Sequence, residues 1–239
     1  LGLAELAHVH EDAQHARHMA LRICDGGLDH PGLAPHRIGM QHLGFKERLP
    51  AFGKQFSGVQ PLSAGRLVAS GRDLTGKRAH RFAALGVART FQTPRTFAEM
   101  AVRDNIQFGL KFAGRRPRKY VFWGDEESVP WALRTADSIL RLIGLDALAE
   151  APAAAITPSQ QRLLEIGMAL ATRPRLLLLD EVAAGLTEAE IEDMARLIRR
   201  MRDELDLTVI WIEHAVTILL RHVERVIVLH QGRKIADGA

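Results

Sequence analysis

Two adjacent carboxylates, Asp180 and Glu181, follow the four-leucine run Leu176 to Leu179, and His214 follows a second apolar run, Thr208 to Ile212, after Glu213. Taken singly, an acid after a strand is often only a helix cap, and a lone histidine is more often structural than reactive. Together the three residues form a stronger pattern. Magnesium coordination and water activation require such groups side by side, so the chemistry this set supports is nucleotide hydrolysis.

The elements that must position them are readable from their periods. A leucine run as short as Leu176 to Leu179 suits a strand covered on both faces. Thr208 to Ile212 and Arg225 to Leu229 read the same way; the latter precedes a His230-Gln231-Gly232 turn and a short strand, Lys234 to Ala236. Between the first two, Glu188 to Glu204 sets Ile191, Met194, Ala195, Leu197, Ile198 and Met201 near helical spacing, with arginines and acids opposite. Strand, crossover helix and strand form a βαβ unit whose right-handed connection makes the strands parallel neighbours. Groups beyond their carboxyl ends gather at one sheet edge, where Asp180, Glu181 and His214 are expected to converge.

Composition excludes several classes. With 239 residues, 47% hydrophobic and 25% charged, the sequence matches an ordinary globular protein of one large or two small domains. It has no apolar stretch of the roughly 18 to 20 residues a membrane span needs, and its first 30 residues lack a secretory pattern, so a cytoplasmic location is expected. The single cysteine, Cys24, can form no internal disulfide. A net charge of +4 arises from 32 basic and 28 acidic residues that are largely interleaved, which argues for a solvated surface and against a nucleic-acid partner. Arg115, Arg116, Arg118 and Lys119 read as a solvated loop beside Gly114 and Pro117, and the spacings His8/His10 and His15/His18 carry no metal-site assignment.

The chain divides unevenly. Residues 1–56 hold seven of the eleven histidines and few runs of either apolar period. From Ser57 onward, apolar runs, turns and helical stretches alternate as in an α/β protein. Gly65 to Leu74 reads as a short strand and turn, Lys77 to Leu85 as a helix, and Trp131 to Leu145 as an amphipathic stretch.

Five ordered segments then carry a family resemblance: Val87 to Gln92, Ile156 to Glu165, Leu176 to Glu181, Ala184 to Leu186, and Ile212 to His214. They resemble, in turn, the Q-loop, signature helix, Walker B strand, D-loop and H-loop of the ATP-binding subunits of ABC transporters. Ala88 to Gln92 and Leu163 to Val182 are most similar to those of branched-chain amino acid importers. The resemblance spans Ser57 to Ala239, and an ordered set is specific where each segment alone is weak.

That resemblance implies an α/β, P-loop NTPase-type (RecA-like) core with a mostly parallel sheet, plus a helical subdomain. Its implied divisions are an atypical segment at 1–56, the first lobe through the Q-loop at 57–95, the helical subdomain at 96–155, and the signature helix with the remaining core at 156–239. The implied ligands are ATP and Mg²⁺. Asp180 would hold the metal, Glu181 would polarise the attacking water, His214 would contact the γ-phosphate, and Gln92 would reach metal and water while reporting to the membrane subunits. Thr157, Ser159 and Gln160 would meet ATP held by a second ATP-binding subunit. Partners would be the transporter's membrane subunits and that second subunit, giving peripheral association at the inner face of the membrane.

Two departures accompany the resemblance. Ile156-Thr157-Pro158-Ser159-Gln160 replaces the usual Leu-Ser-Gly-Gly-Gln; Thr157 keeps a hydroxyl, whereas Pro158 removes one N–H. The segment still reads as a helix start, with Thr157 as N-cap, Pro158 at the first helical position and Gln160 closing a capping box. More seriously, no Gly-x-x-x-x-Gly-Lys-Ser/Thr loop precedes Ser57. Gly53-Lys54-Gln55 is the nearest remnant, but Arg48 replaces the leading glycine, the hydroxyl is missing, and Lys54 is not assigned. The first aromatic residue is Phe45, so none precedes it to stack on adenine. The expectation is an importer ATPase subunit with impaired turnover; the alternative is a catalytically silent docking or regulatory module. Residues 1–56 are expected to be a degraded or out-of-frame replacement rather than a native regulatory segment. The family's tail helix is expected to be missing after Ala239.

Overall fold

A computed structural model describes residues 19–24, 68–69, 72–113, 129–213, 220–230 and 233–238. Its main sheet has six strands: β1 (Met19–Cys24), β4 (Val87–Arg89), β5 (Leu176–Asp180), β6 (Thr208–Glu213), β7 (Val226–His230) and β8 (Arg233–Gly238), in the spatial order β4-β5-β6-β1-β7-β8. β2 (Val68–Ala69) and β3 (Arg72–Asp73) form a separate small hairpin. β4, β5 and β6 pair in parallel, β1 lies antiparallel to both β6 and β7, and β8 is antiparallel to β7. Hence β4, β5, β6 and β7 all run the same way.

All five residues of β5 are buried, as its unbroken apolar run requires. The crossover helix α5 (Glu188–Leu205) connects β5 with β6 and buries Ile191, Met194, Ala195, Ile198, Met201 and Leu205. It starts at a capping box in which the Thr187 hydroxyl accepts from the Glu190 N–H while the Glu190 carboxylate accepts from the Thr187 N–H. Asp206, in the left-handed conformation at φ 49°, ends it. These elements follow the sequence reading to within one residue.

A helical layer adjoins the sheet. α1 (Ala79–Ala84) precedes β4; α2 (Val102–Ala113), α3 (Ala136–Ile143) and α4 (Pro158–Ala171) pack on one another, and their buried side chains share one apolar cluster with β5 and α5. The amphipathic stretch from Trp131 to Leu145 is broken into a 3-10 turn, Trp131–Leu133, and helix α3. Thr135 starts the helix with a capping box to Ser138, and Gly144 stops it at φ 73°.

α2 and α4 approach so closely that a side chain is excluded between them. A Cβ on Gly109 would lie 2.8 Å from Ala171 Cβ and 2.9 Å from the Met168 carbonyl oxygen. The second neighbour is backbone and cannot rotate away. Gly109→Ala is therefore expected to destabilise the fold by about 1–3 kcal/mol, outweighing alanine's better helix propensity. A thermal melt at or above that of the unsubstituted chain would show that the helices do not meet this tightly.

The strand Met19–Cys24 falls in the segment whose sequence shows little pattern, yet it is an inner strand of the main sheet, between β6 and β7. Among the described residues no helix is long and apolar enough to cross a membrane. His214, the remnant Gly53-Lys54-Gln55, the histidine pairs His8/His10 and His15/His18, and the basic run Arg115 to Lys119 lie outside the described residues.

Candidate functional site

β5 ends in Asp180, and its register places Asp180 beside Ile212 of β6, one residue before Glu213. Parallel strands thus bring the two acids to the same sheet edge. Neighbouring β4 contributes Arg89, whose guanidinium donates to Asp180 Oδ2 at 2.5 Å, with each side chain only 8% exposed. Thr90 continues that link, since its hydroxyl accepts from the Asp180 N–H at 3.1 Å and its own N–H donates to the Leu178 carbonyl at 2.9 Å.

Glu181 leaves the strand with φ 51°, an uncommon conformation for a residue bearing a Cβ, and its N–H donates to the Ile212 carbonyl at 2.9 Å. The following turn is held from β6. Glu213, 3% exposed, accepts from the Ala183 N–H at 2.7 Å and from Trp211 Nε1 at 3.1 Å through the same Oε1. The acid before His214 is thus a structural brace.

Helix α4 gathers the loops around this edge. Arg162 Nη1 donates to the carbonyls of Gln92 at 3.4 Å and Glu181 at 3.3 Å, and Nη2 donates to the Ala184 carbonyl at 2.9 Å. One guanidinium therefore joins the loop bearing Gln92, the turn after β5 and the segment through Ala184. Gln92 is exposed. One turn along, Glu165 Oε1 accepts from the N–H groups of Phe91 at 3.0 Å and Arg95 at 3.4 Å. Burial pushes the Glu165 carboxyl up from its ordinary 4.5 to about 7, against the lowering effect of the two amides and of Arg162 and Arg95. The fold consequently binds more protons than the unfolded chain between those two values. This carboxyl's contribution to stability is present at acidic pH and declines as pH rises through that window.

The signature residues form the expected cap. Thr157 Oγ1 accepts from the Gln160 N–H at 3.3 Å, Gln160 Oε1 accepts from the Thr157 N–H at 2.9 Å, and Thr157 and Ser159 share a hydroxyl hydrogen bond at 3.2 Å. Pro158 opens α4. Backbone and side-chain hydrogen bonds from Thr187, together with one from Ser159, hold Glu190 below the usual carboxylate range.

The structure thus brings Asp180, Glu181 and Gln92 to one edge and sets Thr157, Ser159 and Gln160 at the start of the helix that ties that edge together. It does not, as arranged, fit a magnesium ion. The Asp180 carboxylate, the acid expected to hold it, is engaged by the buried Arg89 guanidinium, whose positive charge stands where a cation would sit. Sequence reasoning gave no role to Arg89, Arg162 or Glu165. The three-residue spacing of Arg162 and Glu165, which puts them on one face of the signature helix, was the available signal.

Paired acids at the carboxyl edge of parallel strands, embraced by a glutamine loop and a helix start, define the class of P-loop NTPase-type α/β cores. The model of the ABC transporter family matches residues 53–184, and the chain belongs to that family. It resembles ATP-binding subunits of branched-chain amino acid importers. It is 32% identical over 188 residues to the high-affinity branched-chain amino acid transport ATP-binding protein BraF of Pseudomonas aeruginosa, covering 76% of this chain and 72% of that protein. It is 31% identical over 188 residues, with the same coverages, to the corresponding protein LivG of Escherichia coli. Among solved structures, the ADP conformation of MJ1267, an ATP-binding cassette of an ABC transporter, superposes with a TM-score of 0.63 at 29% identity, covering 77% of this chain and 73% of that one. CbiO1 from Clostridium perfringens shares the fold with a TM-score of 0.66 at 23% identity, over 79% and 71% of the respective chains.

Proposed function

We propose that the chain is the ATP-binding subunit of an importer for branched-chain or related amino acids, with impaired hydrolysis. The observation that carries the reading is the Arg162 guanidinium, which joins the carbonyls of Gln92, Glu181 and Ala184. A site of this kind needs its water-polarising acid and its glutamine held in fixed relation. In this reading Glu181 polarises water, Gln92 and His214 meet the γ-phosphate side, and Thr157, Ser159 and Gln160 face ATP on a second subunit. Asp180 occupies the place of the metal-bearing carboxylate, and Arg89 already supplies positive charge there. The 57–95 and 156–239 divisions form the core together with Met19–Cys24 from 1–56, which lies between β6 and β7 in the main sheet, and 96–155 forms the subdomain that docks on membrane subunits. Docking would hold the chain at the inner face of the membrane.

A silent docking module is the second reading, and the buried Arg89–Asp180 pair favours it. So does an exposed aromatic patch: Phe97 packs edge-to-face on Phe108 with centroids 5.1 Å apart, and Phe112 follows one turn later on α2. Such a patch is characteristic of an interaction surface.

Mg-ATP turnover measured beside an intact relative separates the two readings. With its phosphate cradle absent, the chain is expected to be slower by on the order of a hundredfold or more. Robust turnover abolished by Glu181→Gln would overturn the impairment. Undetectable turnover with undiminished binding to the membrane subunits would select the docking module.

A further inference from the structure

Glu165 is 5% exposed, and nothing in its role as one residue of the signature helix requires a carboxyl there. Its Oε1 bridges back 74 and 70 residues to two amides, Phe91 and Arg95, which flank Gln92, Thr93 and Pro94. Its Oε2 is buried without a hydrogen-bond partner. A carboxyl kept in an apolar setting with one oxygen unsatisfied is costly, and it persists only where the other oxygen's bonds are worth more than the penalty. The charged groups facing the carboxyl are Arg162 on its own helix and Arg95 in the loop.

The two bonded amides lie on either side of the exposed glutamine, and the loop's carbonyl side is held from the same helix by Arg162 at Gln92. Both polar faces of the loop are therefore gripped by charged residues one helical turn apart. We propose that Glu165 is a positioning residue: by accepting the Phe91 and Arg95 amides it fixes the loop bearing Gln92 to helix α4, so that loop and helix move as one unit. The consequence for catalysis rests on the reading of Gln92 given above, but the clamp itself does not.

The test therefore needs no nucleotide. Amide hydrogen exchange of the full chain is followed residue by residue for the parent, Glu165→Gln and Glu165→Leu, with Leu170 in the middle of α4 as internal reference. Glu165→Leu removes the acceptor and is expected to speed exchange at Phe91 and Arg95 at least tenfold relative to Leu170, whereas Glu165→Gln, which keeps a carbonyl oxygen, restores most of the protection. Equal exchange in the parent and the leucine variant, or no rescue by glutamine, overturns the proposal. Should the leucine variant fail to fold, the Phe91 amide proton shift of the parent decides the matter. It is expected to titrate near neutral pH and to be flat in Glu165→Gln, and a flat parent profile rejects the clamp. A chain that binds its amides in this way yet hydrolyses no ATP leaves the clamp standing and removes only the catalytic reading.

Discussion

Arg89→Ala is expected to lower the free energy of unfolding by about 3–5 kcal/mol, the range for removing one partner of a buried ion pair. The guanidinium and the Asp180 carboxylate are 2.5 Å apart with 8% of each side chain exposed, so neither can turn to water when the other is lost. Asp180 also closes a strand whose five residues are all buried, and its N–H is fixed by Thr90. The isolated acid would be left buried without its counter-charge. The pair itself contributes far less than this loss implies, because desolvating two charges offsets most of their attraction. A double variant, Arg89→Met with Asp180→Leu, is accordingly expected to recover most of the stability lost by Arg89→Ala alone. Urea unfolding at neutral pH measures all three chains. If Arg89→Ala unfolds at the parent midpoint, the pair does not form in solution.

Trp211→Ala is expected to lose about 3–5 kcal/mol, the usual range for truncating a large buried aromatic residue. Trp211 is 1% exposed and is the largest wholly buried side chain among the described residues. It sits in β6 two residues before the edge, and its Nε1 helps hold the Glu213 carboxylate that receives the Ala183 N–H. Truncation therefore opens a cavity and also loosens the turn that carries Glu181. Trp211→Phe keeps most of the volume and loses the hydrogen bond, so it should cost less than the alanine variant and still raise proteolytic cleavage between Glu181 and Leu186. Equal losses for the two variants would show that volume plays no part.

Much of this arrangement is legible in the sequence because its signals are local. The leucine run before Asp180, the 3.6-residue pattern of α5 and the Thr157-Pro158-Ser159-Gln160 helix start all act within a few residues, and each appears where its period or capping chemistry puts it. The co-location of Asp180 and Glu213 follows once β5 and β6 are parallel and in register. Long-range partners are another matter. Arg89 meets Asp180 across 91 positions, and Glu165 meets Phe91 across 74, so no window on the sequence contains both members. Within the amphipathic stretch from Trp131 to Leu145 the division into a 3-10 turn and a helix is set locally, by the Thr135 capping box that starts the helix and by Gly144 that ends it. Met19–Cys24 is followed by the turn residues Asp25-Gly26-Gly27 but lacks clean alternation of apolar and polar residues, and its pairing depends on strands about 200 residues away.

The direction of β1 decides more than sheet bookkeeping. Ala20 stands opposite Glu213 and Cys24 opposite Val209, so this inner strand enters at the rim that holds Asp180 and exits at the far one. Cys24 thus ends a full strand length from the acids, while Ala20 at the other end pairs with the strand that carries Glu213. A short segment far from the carboxylates in sequence therefore helps to build the rim on which they stand.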